Sequence, residues 1–67
     1  MKTQTIVSVA GRKVRVYQRP MTAEQFEGVA VLVRLLYRSD DFDRWLVRFD
    51  DGDTVERIIA IPYEYVT

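Results

Sequence analysis

The chain has 67 residues, 48% of them hydrophobic, and its ten basic and ten acidic residues leave no formal net charge. This length allows a single domain, residues 1–67, and the balanced charge argues against a nonspecific DNA-binding protein, whose domain pI normally lies above ~9. Cysteine and histidine are both absent, which removes disulfides, cysteine-based metal sites and the usual neutral-pH general base, so we expect no enzyme activity, metal site or cofactor.

Two short β-rich runs, residues 6–9 and 14–17, predict a first hairpin. Residues 10–13 join them, and Gly11 can adopt the left-handed conformation that a tight turn requires. The valines of the second run are expected to face the core, while its basic side chains stay outside and keep an edge strand soluble.

Residues 23–38 are open to two interpretations. Thr22-Ala23-Glu24-Gln25 matches a capping box, and apolar residues then recur at helical spacing, which predicts an amphipathic helix and an α+β fold. Three valines within five residues and an interior Gly28 disfavour that helix. We favour a strand, preceded by a loop or a single helical turn over residues 21–27. Its inward row would be Val29, Val31, Val33, Leu35 and Tyr37.

A second hairpin is predicted around Asp51-Gly52. Residues 44–49 alternate, with Trp45, Val47 and Phe49 on the side expected to be buried. Asp-Gly between two apolar runs is a strong hairpin signal, and residues 54–61 return as the next strand until proline stops the ladder. With residues 29–38 before it, this hairpin makes a three-stranded meander.

The register of that hairpin has two possible forms. A two-residue loop places Phe49 opposite Thr54, whereas a three-residue loop ending at Asp53 places Phe49 opposite Val55 and Arg48 opposite Glu56. We favour the second, because it forms one apolar pair and one opposite-charge pair. The aspartates at 40, 41 and 43, like those at 50, 51 and 53, are interpreted as turn formers.

From Trp45 onward the chain resembles the small SH3-like barrels of the Tudor and chromo-barrel type. These modules often carry a strand of the form aromatic-x-Val-x-Phe-Asp-Asp-Gly, and Trp45-Leu46-Val47-Arg48-Phe49-Asp50-Asp51-Gly52 fits it. Residues 54–66 fit the following strand and turn, and residues 14–17 and 29–37 the preceding strands. The resemblance implies an all-β barrel of about five antiparallel strands with a short 3₁₀ turn near the C-terminus.

The same resemblance implies an aromatic cage for methylated lysine or arginine. Ring faces attract a quaternary cation, so such a cage needs several aromatic side chains at one mouth of the barrel. A small barrel also needs its aromatic residues for the core, and we favour that role. The candidates for a cage are Tyr17, Tyr37, Phe42, Trp45 and Tyr63.

Arginine and leucine on the outer face of the meander carry the functional prediction. Eight of the ten basic residues are arginine, and Arg34, Arg38, Arg44 and Arg48 are expected there together with Leu32, Leu36 and Leu46. Apolar side chains between arginines are typical of a protein interface. We expect a non-catalytic interaction module that binds a protein partner or forms a homodimer; the alternative is nucleic-acid binding by an arginine stripe.

No small-molecule substrate is expected, and neither is membrane contact. The longest apolar run, residues 29–33, is too short to span a bilayer, and no apolar segment follows Lys2 as in a signal peptide. The sequence therefore predicts a cytoplasmic protein.

Overall fold

The computed structural model describes residues 9–66. Five β-strands follow one another, and a 3₁₀ turn at Pro20–Thr22 separates the first two. The all-β prediction is confirmed, and the alternative of a helix over residues 23–38 is wrong. Residues 6–8 of the strand predicted at residues 6–9 lie outside the described residues. The strands are β1 (Lys13–Arg19), β2 (Glu24–Arg38), β3 (Phe42–Phe49), β4 (Thr54–Ala60) and β5 (Tyr65–Val66).

The strands form one antiparallel sheet in the order β4-β3-β2-β1-β5. The long strand β2 pairs with β1 through its first half and with β3 through its second half. The sheet coils, so that β4 also contacts β1 and the 3₁₀ turn without pairing with either. Because β2 belongs to both halves of the sheet, it fixes the relative position of the two hairpins.

The start of β2 does not form the predicted capping box. The Thr22 hydroxyl donates to the carboxylate of Glu24 at 3.1 Å, and the chain turns through a left-handed Ala23 into a strand. Pro20 begins the 3₁₀ turn, where its missing N–H is not needed. A 3₁₀ turn was predicted near the C-terminus; residues 61–64 instead form bends and irregular backbone.

The core lies on one face of the coiled sheet. Trp45 and Val47 of β3 point into it as predicted, but of the inward row predicted for β2 only Leu35 packs against the core. Ala30 and Leu32 are buried instead, and Tyr37 is exposed. Ala30 and Leu32 lie before two β-bulges in β2, which reset the alternation after Leu32 and after Leu35, so that no single row of β2 stays inward along its whole length. The buried apolar residues are Val14, Val16, Ala30, Leu32, Trp45, Val47 and Ile59.

Neither predicted register of the β3–β4 hairpin is correct. Val47 pairs with Val55, and Arg48 pairs with Thr54. The loop closes earlier than expected, because the Gly52 amide donates to the Phe49 carbonyl at 2.9 Å and the Phe49 amide to the Asp53 carbonyl at 3.3 Å. Gly52 takes a φ of +94°, as in a type I turn followed by a glycine bulge. Asp50-Asp51-Gly52 is therefore the loop.

Candidate interaction surface

The outer face of β2, β3 and β4 carries most of the predicted binding residues. Directly paired residues of neighbouring strands project to the same side of a sheet. Arg34 pairs with Leu46, and Tyr37 pairs with Arg44, while Arg48 lies opposite Val31. Since Trp45 and Val47 point into the core, these side chains lie on the opposite side. We call the surface formed by Arg34, Tyr37, Leu46 and Arg48 the arginine face.

Three predicted binding residues lie elsewhere. Leu32, predicted on the outer face, is part of the core. Arg38 pairs with the inward-facing Asp43, and its Nε lies 3.4 Å from Asp43 Oδ1. Leu36 is exposed, but it is the extra residue of the second bulge in β2 and faces no residue of β3. The first bulge puts Leu32 and Arg34 on opposite faces, and the second takes Leu36 out of the pairing and turns Arg38 inward.

The arginines of this region differ in their ion pairs. Arg44 Nη1 lies 3.0 Å from Glu56 Oε2, so its charge is compensated. Within residues 9–66, Arg34 and Arg48 form no salt bridge. The predicted stripe of four arginines is thereby reduced to two uncompensated guanidinium groups next to Leu46: Arg34 lies opposite it on β2, and Arg48 follows it on β3. On the β4 side, Leu46 lies opposite Glu56.

The five aromatic residues proposed for a cage do not converge. Trp45 is buried and its ring meets that of Tyr63 edge-on, with centroids 6.5 Å apart. Tyr17 packs on Phe26 instead, with centroids 5.6 Å apart. Tyr37 lies on the arginine face. The structure therefore brings only the pair Trp45 and Tyr63 together, and it does so inside the fold.

A buried carboxylate, Asp43, stands beside this aromatic pair and was missed by the sequence analysis. The Tyr63 hydroxyl donates to Asp43 Oδ2 and accepts a hydrogen bond of 2.8 Å from Trp45 Nε1. Burial, followed by the hydrogen bond to Asp43, raises the pKa of Tyr63 to about 12. A signal did exist in the sequence, because Asp43 continues the alternating inward row of Trp45 and Val47.

A second polar cluster bridges the gap between β4 and the first half of β2. Arg57 binds Glu27 through both carboxylate oxygens, at 2.6 and 2.8 Å. This hydrogen bonding lowers the pKa of Glu27 and raises that of Arg57. A cavity of about 500 Å³ opens beside the pair. The charges that line it are already matched, since Arg44 and Glu56 at its rim also pair with each other.

Comparison of the chain with protein-family models, with curated proteins and with solved structures finds no match. No cluster of residues suited to hold a metal ion occurs in the described range 9–66. Over the same range, no helix is long and apolar enough to cross a membrane. The Tudor-type resemblance thus stays a prediction.

Proposed function

We propose that this chain is a non-catalytic interaction module of the cytoplasm that binds protein through the arginine face. The supporting observation is that Arg34 and Arg48 carry no ion pair among the described residues and lie next to the apolar Leu46. Protein interfaces are enriched in arginine and aromatic residues around an apolar centre. Tyr37 supplies the aromatic member at the edge of the same face.

The partner chemistry follows from this charge pattern. Two guanidinium groups next to a leucine are complementary to a surface with carboxylates next to an apolar side chain. Guanidinium groups bind carboxylates through two parallel hydrogen bonds, which gives orientation as well as affinity. We therefore propose an acidic protein surface with an apolar centre as the ligand.

Nucleic acid is the second candidate, and the exposed Tyr37 beside the arginines favours it. Bases stack on tyrosine rings, and arginine forks match phosphate oxygens. Two uncompensated arginines form few phosphate contacts, so the affinity for nucleic acid is expected to fall only gently with salt. The logarithm of the binding constant should fall by about 0.7 to 0.9 per tenfold increase in salt concentration for each phosphate contact. Binding to a leucine-centred protein interface is expected to change less with salt.

The test is capture of partners by the immobilised full chain, followed by calorimetric titration of each recovered molecule after purification. The charge-reversed double variant Arg34→Glu, Arg48→Glu should bind its partner at least tenfold more weakly. A matched control is Lys13→Glu with Arg19→Glu, which makes the same change in net charge on exposed positions of β1.

Three results decide between the candidates. A protein that binds wild type and control but not the Arg34/Arg48 variant supports the proposal. Retention of oligonucleotides with the same dependence on Arg34 and Arg48 supports the nucleic-acid alternative. Partners that bind the double variant as tightly as the wild type would show that the arginine face is not the binding surface.

A further inference from the structure

Among the described residues 9–66, the second half of β2 has an edge with no partner strand. β1 accompanies β2 as far as Val31; beyond it, the Gly11 amide donates to the Leu32 carbonyl at 2.7 Å and the Leu32 amide donates to the Arg12 carbonyl at 2.9 Å. From Val33 to Arg38, β2 pairs with β3 on one side, and no residue in the range 9–66 pairs with its other side. We call residues 33–38 along this side the open edge.

The open edge is unusually apolar for an exposed strand. Val33, Leu36 and Tyr37 are 37%, 41% and 58% exposed, so three of the large exposed apolar side chains lie within these six residues. Proteins usually protect such edges with lysine, proline or a covering segment, because unpaired N–H and C=O groups attract another strand. The open edge contains neither lysine nor proline, and its protection is limited to Arg34, Arg38 and the two bulges.

Charges near the open edge are arranged in a self-complementary way. Arg34 lies near its beginning, and Asp40 and Asp41 follow its end in the β2–β3 turn. All three are exposed, and within the described part of the chain none forms a salt bridge. Two such edges that run antiparallel, with Tyr37 opposite Tyr37, place Arg34 of each copy opposite Asp40 of the other.

We propose that a second copy of this chain covers the open edge, so that two β2 strands pair antiparallel about a twofold axis. The proposal rests on the proposed function, since it names one protein partner, but it uses the strand edge and leaves most of the arginine face uncovered. The twofold axis repeats each Arg34–Asp40 contact, as isologous interfaces require. The chain's zero net charge keeps long-range repulsion between copies small.

Sedimentation velocity on the full chain over a wide concentration series is the first test, and we expect a monomer–dimer equilibrium. Arg34→Glu and Asp40→Arg should each weaken the dimer at least about tenfold, because each leaves like charges opposed at two symmetric places. The double variant that carries both changes exchanges the charges and should restore dimerisation. A merely structural role for either residue would not produce this rescue.

Disulfide trapping tests the register independently. The chain has no cysteine, so Tyr37→Cys introduces a single reporter thiol at the twofold axis. Directly opposed residues have Cα atoms about 4.5–5.5 Å apart, within reach of a disulfide. Tyr37→Cys should oxidise to a covalent dimer at low concentration. Met21→Cys, on an equally exposed side chain (56%) far from the edge, should not.

A wild-type chain that stays monomeric at every concentration overturns the proposal, whatever else covers the edge. So does a dimer that is insensitive to both single charge reversals or that is not rescued by the exchange. Arg48→Glu separates the two proposals, because it lies off the open edge: it should weaken partner binding through the arginine face and leave dimerisation unchanged.

Discussion

Among residues 9–66, two carboxylates have both oxygens occupied by side-chain donors, and their surroundings differ. Asp43 binds Tyr63 and Arg38, and its side chain is only 2% exposed. Glu27 binds the guanidinium of Arg57 at 2.6 and 2.8 Å, closer than the 3.4 Å between Arg38 and Asp43, but the Glu27 side chain is 20% exposed. The comparison teaches that contact geometry is a poor measure of stabilisation: water can replace Arg57 at Glu27, whereas nothing replaces Tyr63 at Asp43.

Removal of Asp43 should therefore have the largest effect. Asp43→Ala leaves the half-buried Tyr63 hydroxyl without its acceptor and opens a small void, and we expect a loss of about 2–4 kcal/mol in the free energy of unfolding. Urea titration followed by tryptophan fluorescence measures this loss, since Trp45 is the single tryptophan. Asp41→Ala, in the exposed turn nearby, is the control and should change stability by less than ~0.5 kcal/mol. Equal effects of the two variants would contradict the comparison.

Tyr63→Phe should have an intermediate effect. It removes the hydroxyl that donates to Asp43 and accepts from Trp45, and we expect a loss of about 1–2 kcal/mol. In a double-mutant cycle, the losses from Asp43→Ala and Tyr63→Phe should be clearly less than additive, because both remove the same hydrogen bond. Additive losses would mean that the two groups act independently.

Alkaline pH should weaken the Asp43 cluster specifically. The pKa of Tyr63 is raised from 10.0 to about 12 in the folded chain, so folding favours the neutral phenol. The resulting stabilisation is complete below pH 10 and is lost as the pH rises toward 12. Wild type should therefore lose more stability across this range than Tyr63→Phe, as measured by urea titration at each pH. Parallel pH profiles of the two proteins would refute the assignment.

Glu27→Gln should have the smallest effect, about 0.2–1 kcal/mol, because solvent screens a partly exposed ion pair. The pKa of Glu27 lies below 4.5, so the contribution of the pair is present above that pH and is lost as the pH falls through the lowered pKa. Thermal unfolding at neutral and acidic pH would reveal it as a difference from wild type that vanishes in acid. A loss as large as that of Asp43→Ala would reverse the ranking of the two clusters.

Strands were predictable from the sequence because local chemistry determines them. Alternation around Trp45, the Asp51-Gly52 turn and the β-branched run after it each favour extended backbone without help from distant residues. In residues 23–38, the three valines and Gly28 outweighed the capping box at Thr22, whose hydroxyl binds a side chain instead of a helix terminus.

The faces of β2 and the candidate surface were only partly predictable, because they depend on where strands pair. The first bulge of β2 puts Leu32 and Arg34 on opposite faces, and the second turns Arg38 toward Asp43. No composition rule for a single strand contains that information. The ion pair that removes Arg44 from the stripe joins two different strands. The open edge depends on the point at which β1 leaves β2, which is a property of the whole sheet.

The shortness of β5 has a kinetic consequence for the buried carboxylate. β5 has two residues and pairs with β1 only at Lys13 and Val14, with one more backbone bond of 3.0 Å from the Arg15 amide to the Glu64 carbonyl. So few bonds open at a small fraction of the global unfolding free energy. An opening that also breaks the hydrogen bonds of Tyr63 to Asp43 and Trp45 would let water reach Asp43 while the rest of the sheet stays folded. Amide hydrogen exchange at Arg15 reports the frequency with which β5 opens.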